Sequence, residues 1–497
     1  MAKLALLDQP RGLGSLFFTE MWERMSYYGM RALLVLFMVD NIDNGGLGIS
    51  DKNATAIYGI YTAAVYLLAL PGGWIADRLI GAQRSVFWGG CIIAAGHFAL
   101  AVPSSHFFFA GLFLVATGTG LLKPNISTIV GELYSPEDRR RDAGFTLFYM
   151  GINLGAVMGP LICGALGQSE SFGWHWGFGA AGVGMVAGLV QYKLTCHQLG
   201  SAGASANTPY ANPSKAWTII LGALAVLFVL LLAASFGAFS VSPAVFAKST
   251  AQIISAIFIL YFVFIWVAGG LNADEKKRSL LIFILCLASA VFWSGFEQAG
   301  SSLNLFADRY TDNLVASINF TIPSSWYQSL NAAFIILLAP VYSVLWIGLA
   351  KRFLEPSAPI KFAFGLLLLA AGFAVMIGAA NIVSDGGKAA PYWLILTYLL
   401  HTMGELCLSP VGLSTVSRLA PRAYASQMMG LWFCASALGN ILAGLLAGRF
   451  DTDSIQDFPA IYTQIVIVCG GFGILLLIIG ARLSRYADPV HQRRNAA

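Results

Sequence analysis

The sequence predicts an all-α polytopic membrane protein of fourteen transmembrane helices: two six-helix bundles plus an inserted two-helix hairpin. Three observations predict it. The chain is 57% hydrophobic and only 11% charged over 497 residues, a composition no soluble fold of that length needs. Apolar runs long enough to cross a bilayer recur from end to end. Lys and Arg concentrate in every second connection, the pattern left by alternate loops facing the cytoplasm.

The first six runs lie near 15–39, 54–80, 84–103, 106–131, 143–166 and 174–196. A polar, small-residue stretch, HQLGSAGASANTPYANP at 197–213, reads as a cytoplasmic linker. Two spans follow, near 214–238 and 249–271. The charged DEKKR of 274–278 precedes six more, near 279–302, 325–350, 359–382, 390–417, 423–448 and 458–483. With the N-terminus inside, most of the 29 Lys and Arg are cytoplasmic, among them Arg78, Arg84, Arg139 to Arg141, Lys276 to Arg278, Lys351, Arg352, Arg418, Arg422 and the tail. The outer loops hold Lys52, Lys248, Arg309, Lys388 and Arg449, and Arg24, Arg31 and Lys123 fall within spans. An odd number of spans spoils this alternation, so both termini are expected inside. The expected organisation is an N-terminal bundle at 1–197, a linker with two accessory helices at 198–272, and a C-terminal bundle with a cytoplasmic tail at 273–497. A cavity between the bundles near the membrane midplane follows from such a duplicated arrangement. The first apolar run carries charge and reads as a retained span, not a cleaved signal peptide.

The formal charge of +5 is small and carries no nucleic-acid signal. The seven cysteines, Cys91, Cys163, Cys196, Cys286, Cys407, Cys434 and Cys469, lie in or beside apolar runs without metal-ligand spacing. They read as small core residues, and neither a metal nor a cofactor is expected.

The charged span is Phe17–Arg31, FFTEMWERMSYYGMR. At roughly 100° per residue, Glu20, Arg24, Tyr27 and Arg31 fall within about 60° on a helix, with Glu23 and Tyr28 on the flanks. Each ionised group at a bilayer centre costs about 2.5–3.5 kcal/mol, so this stripe must face protein or a water-filled cavity. A self-satisfied salt-bridge cluster is the structural reading; a proton-carrying, anion-binding site on a transport path is the functional one.

In the fourth span, ATGTGLLKPNIST places Lys123 before the kinking Pro124, with Glu20 or Glu23 as its expected partner. In the fifth, FTLFYMGINLGAVMGP puts Tyr149 and Asn153 on one face. There Gly151, Gly155 and Gly159, at four-residue spacing, read as close helix packing. Tyr66, in the second span, has the same intramembrane status as Asn153.

The second half has the opposite sign. FWSGFEQAG groups Trp293, Phe296 and Glu297, QSLNAAF carries Asn331, and HTMGELCLSPVG sets Glu405 one turn from His401 and Ser409. Trp432 lies in the next span but one before the end. No Lys or Arg lies within helical reach of Glu297 or Glu405, so each must be protonated, solvated or paired across the halves. His401 reads as a hydrogen-bonded core residue. A cation-rich first half and an anionic second half suit a zwitterion, and the aromatics leave room for variable apolar groups.

The short GGWIADRLIGAQRS loop, with Asp77, Arg78, Gly81 and Arg84, resembles the loop between the second and third helices of the major facilitator superfamily. With it in order come E-x-x-E-R at Glu20, Glu23 and Arg24, SYYGMR, GTGLLKPNIS, FYMGINLGA, FWSGFEQ and GELCLSPVG. Together they resemble the proton-dependent oligopeptide transporter family, over roughly residues 15–480, with the inserted hairpin of bacterial members. Met25 departs from the phenylalanine of many members.

The resemblance implies the major facilitator fold and proton-coupled uptake of di- and tripeptides across the cytoplasmic membrane by alternating access. It implies that Arg31 and Lys123 bind the peptide carboxylate and that Glu405, Asn153 and Asn331 hold the amine. Tyr28, Tyr66, Tyr149, Trp293, Phe296, Trp432 and Ser409 would line the pocket. Glu20, Glu23, Arg24, Lys123 and Glu297 would couple protonation to gating. Its partners are then di- and tripeptides, peptide-like drugs, protons and the lipid bilayer, with a monomer as the working unit. The rivals are a carrier of another anion or zwitterion, which Glu405 disfavours, and a membrane enzyme, for which no nucleophile–base pair or metal cluster is visible. A sensor lacks a sizeable soluble domain to signal through.

Overall fold

The structure, a computed structural model, describes residues 9–487 except 136, 139, 239, 240 and 451. Arg139 and the tail past 487, both used above to assign orientation, lie outside the described residues. Among the described residues, fourteen long helices overlap the spans that hydropathy places. The first eight are α1 Arg11–Val39, α2 Asp51–Ile75, α3 Ala82–Leu100, α4 Ser105–Glu132, α5 Arg141–Gly167, α6 Trp174–Thr195, α7 Pro213–Ser235 and α8 Pro243–Ala268. The other six are α9 Ala273–Phe296, α10 Ser329–Lys351, α11 Ala358–Ser384, α12 Pro391–Leu419, α13 Ala425–Ala447 and α14 Phe458–Ala487. Eleven spans among the described residues are long and apolar enough to cross a membrane. The window containing α1 is not one of them, its interior carrying Glu20, Glu23, Arg24 and Arg31.

Both ends of α9 differ from the hydropathy reading for local reasons. The DEKKR segment does not precede α9 but forms its first turns, because Asn272 accepts from Asp274 and Glu275 while Glu275 bonds back to the Asn272 N–H. At its other end α9 stops at Phe296 and tightens into a 3₁₀ turn at Glu297–Gly300. The connection that follows is no plain loop: it holds a short helix, Ser302–Arg309, and a small hairpin of β1 Leu314–Val315 and β2 Phe320–Thr321.

The chain divides into two compact units, Met1–Ser50 with Ala64–Ser242, and Asp51–Ala63 with Pro243–Ala497. The first thirteen residues of α2 thus belong to the second unit, where Asp51 forms a two-pronged ion pair with Arg309 at 2.5 and 3.0 Å. Of the accessory helices, α7 packs on α4 in the first unit, and α8 packs on α13 and α9 in the second.

In the first unit α5 lies against α1, and the glycine repeat permits it. A Cβ on Gly155 would stand 2.2 Å from the Met21 carbonyl oxygen, and one on Gly159 2.5 Å from that of Met25. Backbone therefore rides on backbone along the turns of α1 that carry the E-x-x-E-R sequence. The 197–213 segment is strapped onto this unit. Thr208 and Tyr210 donate their N–H groups to the Asp77 and Arg78 carbonyls at 3.0 and 2.9 Å. Gln83 Nε2 donates to the Gly200 and Ala202 carbonyls, and the Gly203 N–H to Glu132 Oε2. A polar, small-residue sequence is held here because each of these backbone groups finds a partner.

Candidate functional site

Each unit holds its own set of the residues singled out by sequence. In the first, Glu20, Glu23 and Arg24 are buried on α1 with 2%, 0% and 2% exposure. The Arg24 guanidinium bonds Glu23 through two nitrogens, Nη2 to Oε1 at 2.6 Å and Nε to Oε2. Glu20 Oε1 lies 3.3 Å from the same Nε, whereas Glu20 Oε2 is buried without a hydrogen-bond partner. The helical stripe predicted Glu20 and Arg24 together, and the structure adds that the flanking Glu23 makes the tighter contact.

The cations also sit on tyrosine rings. The Arg24 carbon Cζ lies 5.0 Å from the Tyr27 centroid, and that of Arg31 5.6 Å from the Tyr28 centroid. Lys123 Nζ lies 4.7 Å from the Tyr66 centroid. Aromatic faces stabilise a desolvated cation through the ring quadrupole without neutralising it. Glu20 lies in the combined field of Arg24, Glu23 and Lys123. Beside Lys123, α4 runs unbroken through Pro124, and the Asn125 side-chain amide donates to the Gly72 and Leu121 carbonyls at 3.2 and 2.6 Å. Asn153 is buried on α5, and its side-chain amide donates to the Tyr149 backbone carbonyl one turn back at 2.9 Å.

In the second unit, Trp293 and Phe296 meet edge to face, 5.3 Å between centroids, with Phe292 stacked on Phe296 at 5.4 Å. Glu297 follows immediately, buried at the start of the 3₁₀ turn. On α10, Asn331 donates to Glu405 Oε2 at 2.9 Å and to Thr402 Oγ1 at 3.0 Å. Ser409 Oγ is buried without a hydrogen-bond partner, one turn beyond Glu405. Trp432 on α13 lies against α12 at Gly412, where a Cβ would come within 2.3 Å of its ring, and 6.2 Å from Phe362. His401 packs in the core 4.7 Å from Phe373, its Nε2 without a partner.

Three groups were not singled out from sequence: Asn125, Thr402 and the buried Lys361. Lys361 pairs with Glu355 at 2.6 Å and covers Trp346 at 4.6 Å. Thr402 stands three residues before Glu405, a helical spacing that pointed to it. All seven cysteines are free, and the described residues contain no group of three or more His, Cys, Asp or Glu arranged to hold a metal.

Comparison with known proteins follows the same line. The sequence model described as the POT family matches residues 83–463. The peptide transporter YePEPT of Yersinia enterocolitica subsp. palearctica is 42% identical over 491 residues, covering 95% of each chain. A di-/tripeptide transporter of Lactococcus lactis subsp. cremoris is 39% identical over 481 residues, again covering 95% of each. A crystal structure of a mutant peptide transporter POT in complex with alafosfalin has a TM-score of 0.87 at 42% identity, covering 96% of each chain.

Proposed function

The chain belongs to the POT family, and from that premise we propose that it takes up di- and tripeptides by proton-coupled symport across the bacterial cytoplasmic membrane. Peptide-like drugs are further substrates on this reading, the proton is the coupling ion, and no cofactor takes part. The protein works as a monomer with both termini cytoplasmic, as two six-helix bundles joined through a linker and an accessory helix pair.

The observation that carries the reading is the division of charge. In the first unit Arg31 and Lys123 stand over the rings of Tyr28 and Tyr66. In the second, the Glu405 carboxylate is held by the Asn331 amide. A peptide is a zwitterion with variable apolar groups between its ends, and it needs both kinds of partner. Arg31 and Lys123 take its carboxylate, and Glu405, Asn331 and Asn153 its amine. Tyr28, Tyr66, Tyr149, Trp293, Phe296, Ser409 and Trp432 meet its side chains. Glu20, Glu23, Arg24, Lys123 and Glu297 exchange partners as a proton binds and leaves, which biases the transport cycle.

The test is uptake of labelled di- and tripeptides by proteoliposomes with and without an inside-alkaline pH gradient. Gradient-stimulated accumulation of both lengths is expected. Equal uptake with and without the gradient overturns the coupling, and no saturable peptide uptake overturns the substrate.

A further inference from the structure

Asn331 has one amide group with two donor hydrogens on one side and an acceptor oxygen on the other. Both donors are committed, to Thr402 Oγ1 at 3.0 Å and to Glu405 Oε2 at 2.9 Å. Thr402 is fully buried, and its own hydroxyl proton goes to the Tyr398 carbonyl at 2.7 Å, one turn back on α12. Its oxygen therefore has only lone pairs left to offer Asn331. That chain of three groups decides which way round the amide sits, because the reversed amide sets its oxygen against the lone pairs of Thr402.

We infer that Thr402 is a positioning residue: it fixes the Asn331 amide so that one N–H braces Glu405 and the carbonyl oxygen is presented to the ammonium end of a peptide. This rests on the reading that Glu405 and Asn331 hold the amine. Glu405 by itself is a poor lock, since its acceptor strength falls whenever an amine or a proton engages it. Thr402 keeps the same lone pairs throughout, because its proton is held by a helix carbonyl that does not change. A valine at 402 preserves the shape and burial of the side chain and removes the acceptor. A serine preserves the acceptor and loses only the methyl group.

The experiment uses the full-length protein in proteoliposomes, with free and N-acetylated dialanine competing against a labelled dipeptide. It compares wild type, Thr402→Val, Thr402→Ser and Glu405→Gln, each first checked for monodispersity. Thr402→Val is expected to raise the half-inhibitory concentration of free dialanine about tenfold and that of the acetylated peptide about twofold or less. The maximal uptake rate at saturating dipeptide stays near wild type, and Thr402→Ser stays near wild type in every measurement. Unchanged competition by free dialanine in Thr402→Val overturns the inference. So does equal weakening of both peptides, or a serine variant as impaired as valine, since either result means Thr402 only packs. Glu405→Gln separates this from the underlying reading: if it weakens free and acetylated dialanine equally, the amine assignment falls and takes this inference with it. If Glu405→Gln discriminates and Thr402→Val does not, the positioning role alone is wrong. Should valine prevent folding, Thr402→Ala set against Thr402→Ser makes the same comparison.

Discussion

Glu20 gives one carboxylate oxygen to Arg24 at 3.3 Å and keeps the other buried with no hydrogen-bond partner. Glu23, three residues on, spends both oxygens on the same guanidinium. The two acids of one short motif are therefore different in kind. Glu20 keeps one oxygen outside the ion pair, whereas Glu23 commits both of its oxygens to it.

Glu20→Gln is expected to abolish gradient-driven accumulation, to keep counterflow exchange, and to leave the melting temperature near wild type. Glu23→Gln is expected to lose accumulation and also to melt well below wild type, since breaking a buried ion pair costs about 3–5 kcal/mol. Counterflow and accumulation in the same vesicles, with a thermal melt, check both. Retained accumulation by both mutants makes the acids purely structural.

Lys123→Ala removes the cation that stands over Tyr66. Proton-driven uptake is expected to disappear while the protein remains monodisperse. Tyr66→Phe keeps the ring face and is expected to retain most uptake, because the attraction comes from the ring quadrupole. A folded and fully active Lys123→Ala reduces this lysine to one that merely reaches for the membrane surface.

Arg31 is tested from the ligand side. A lost charge-assisted hydrogen bond is worth about 1.5–3 kcal/mol, or roughly ten- to a hundredfold in affinity. Arg31→Ala is expected to weaken free dialanine by that factor and the C-terminally amidated peptide much less. Combined with Glu405→Gln, the two losses are expected to add, because the groups they serve are at opposite ends of the ligand. Strong non-additivity in this cycle means both residues act through one group.

Gly155→Ala places a Cβ 2.2 Å from the Met21 carbonyl oxygen. Overpacking of this kind costs about 1–3 kcal/mol or more, so a clear fall in melting temperature is expected. Gly222 on α7 has nothing within 4 Å of the added carbon. Gly222→Ala is expected to be neutral or slightly stabilising, as alanine is the better helix former. Equal melting of the two variants removes close packing as the reason for the glycine repeat.

Hydrophobic length and the placement of basic residues determined the helices and their order, because crossing a bilayer is a property of one segment and its own sequence. The 3.6-residue period likewise put Glu20 with Arg24, Tyr149 with Asn153, and the three glycines of α5 on one line. What only the tertiary structure decided are the contacts between segments distant in sequence. These include the ring of Tyr66 under Lys123, the lock of Thr402 and Glu405 on Asn331, and the linker tied to the Asp77–Arg78 backbone. It also decided that Glu23, off the centre of its stripe, holds Arg24 more tightly than Glu20 does. Periodicity fixes the direction in which a side chain leaves its helix. Its partner depends on how helices cross and which rotamers their packing leaves open, and those are set by residues on other helices, far along the chain.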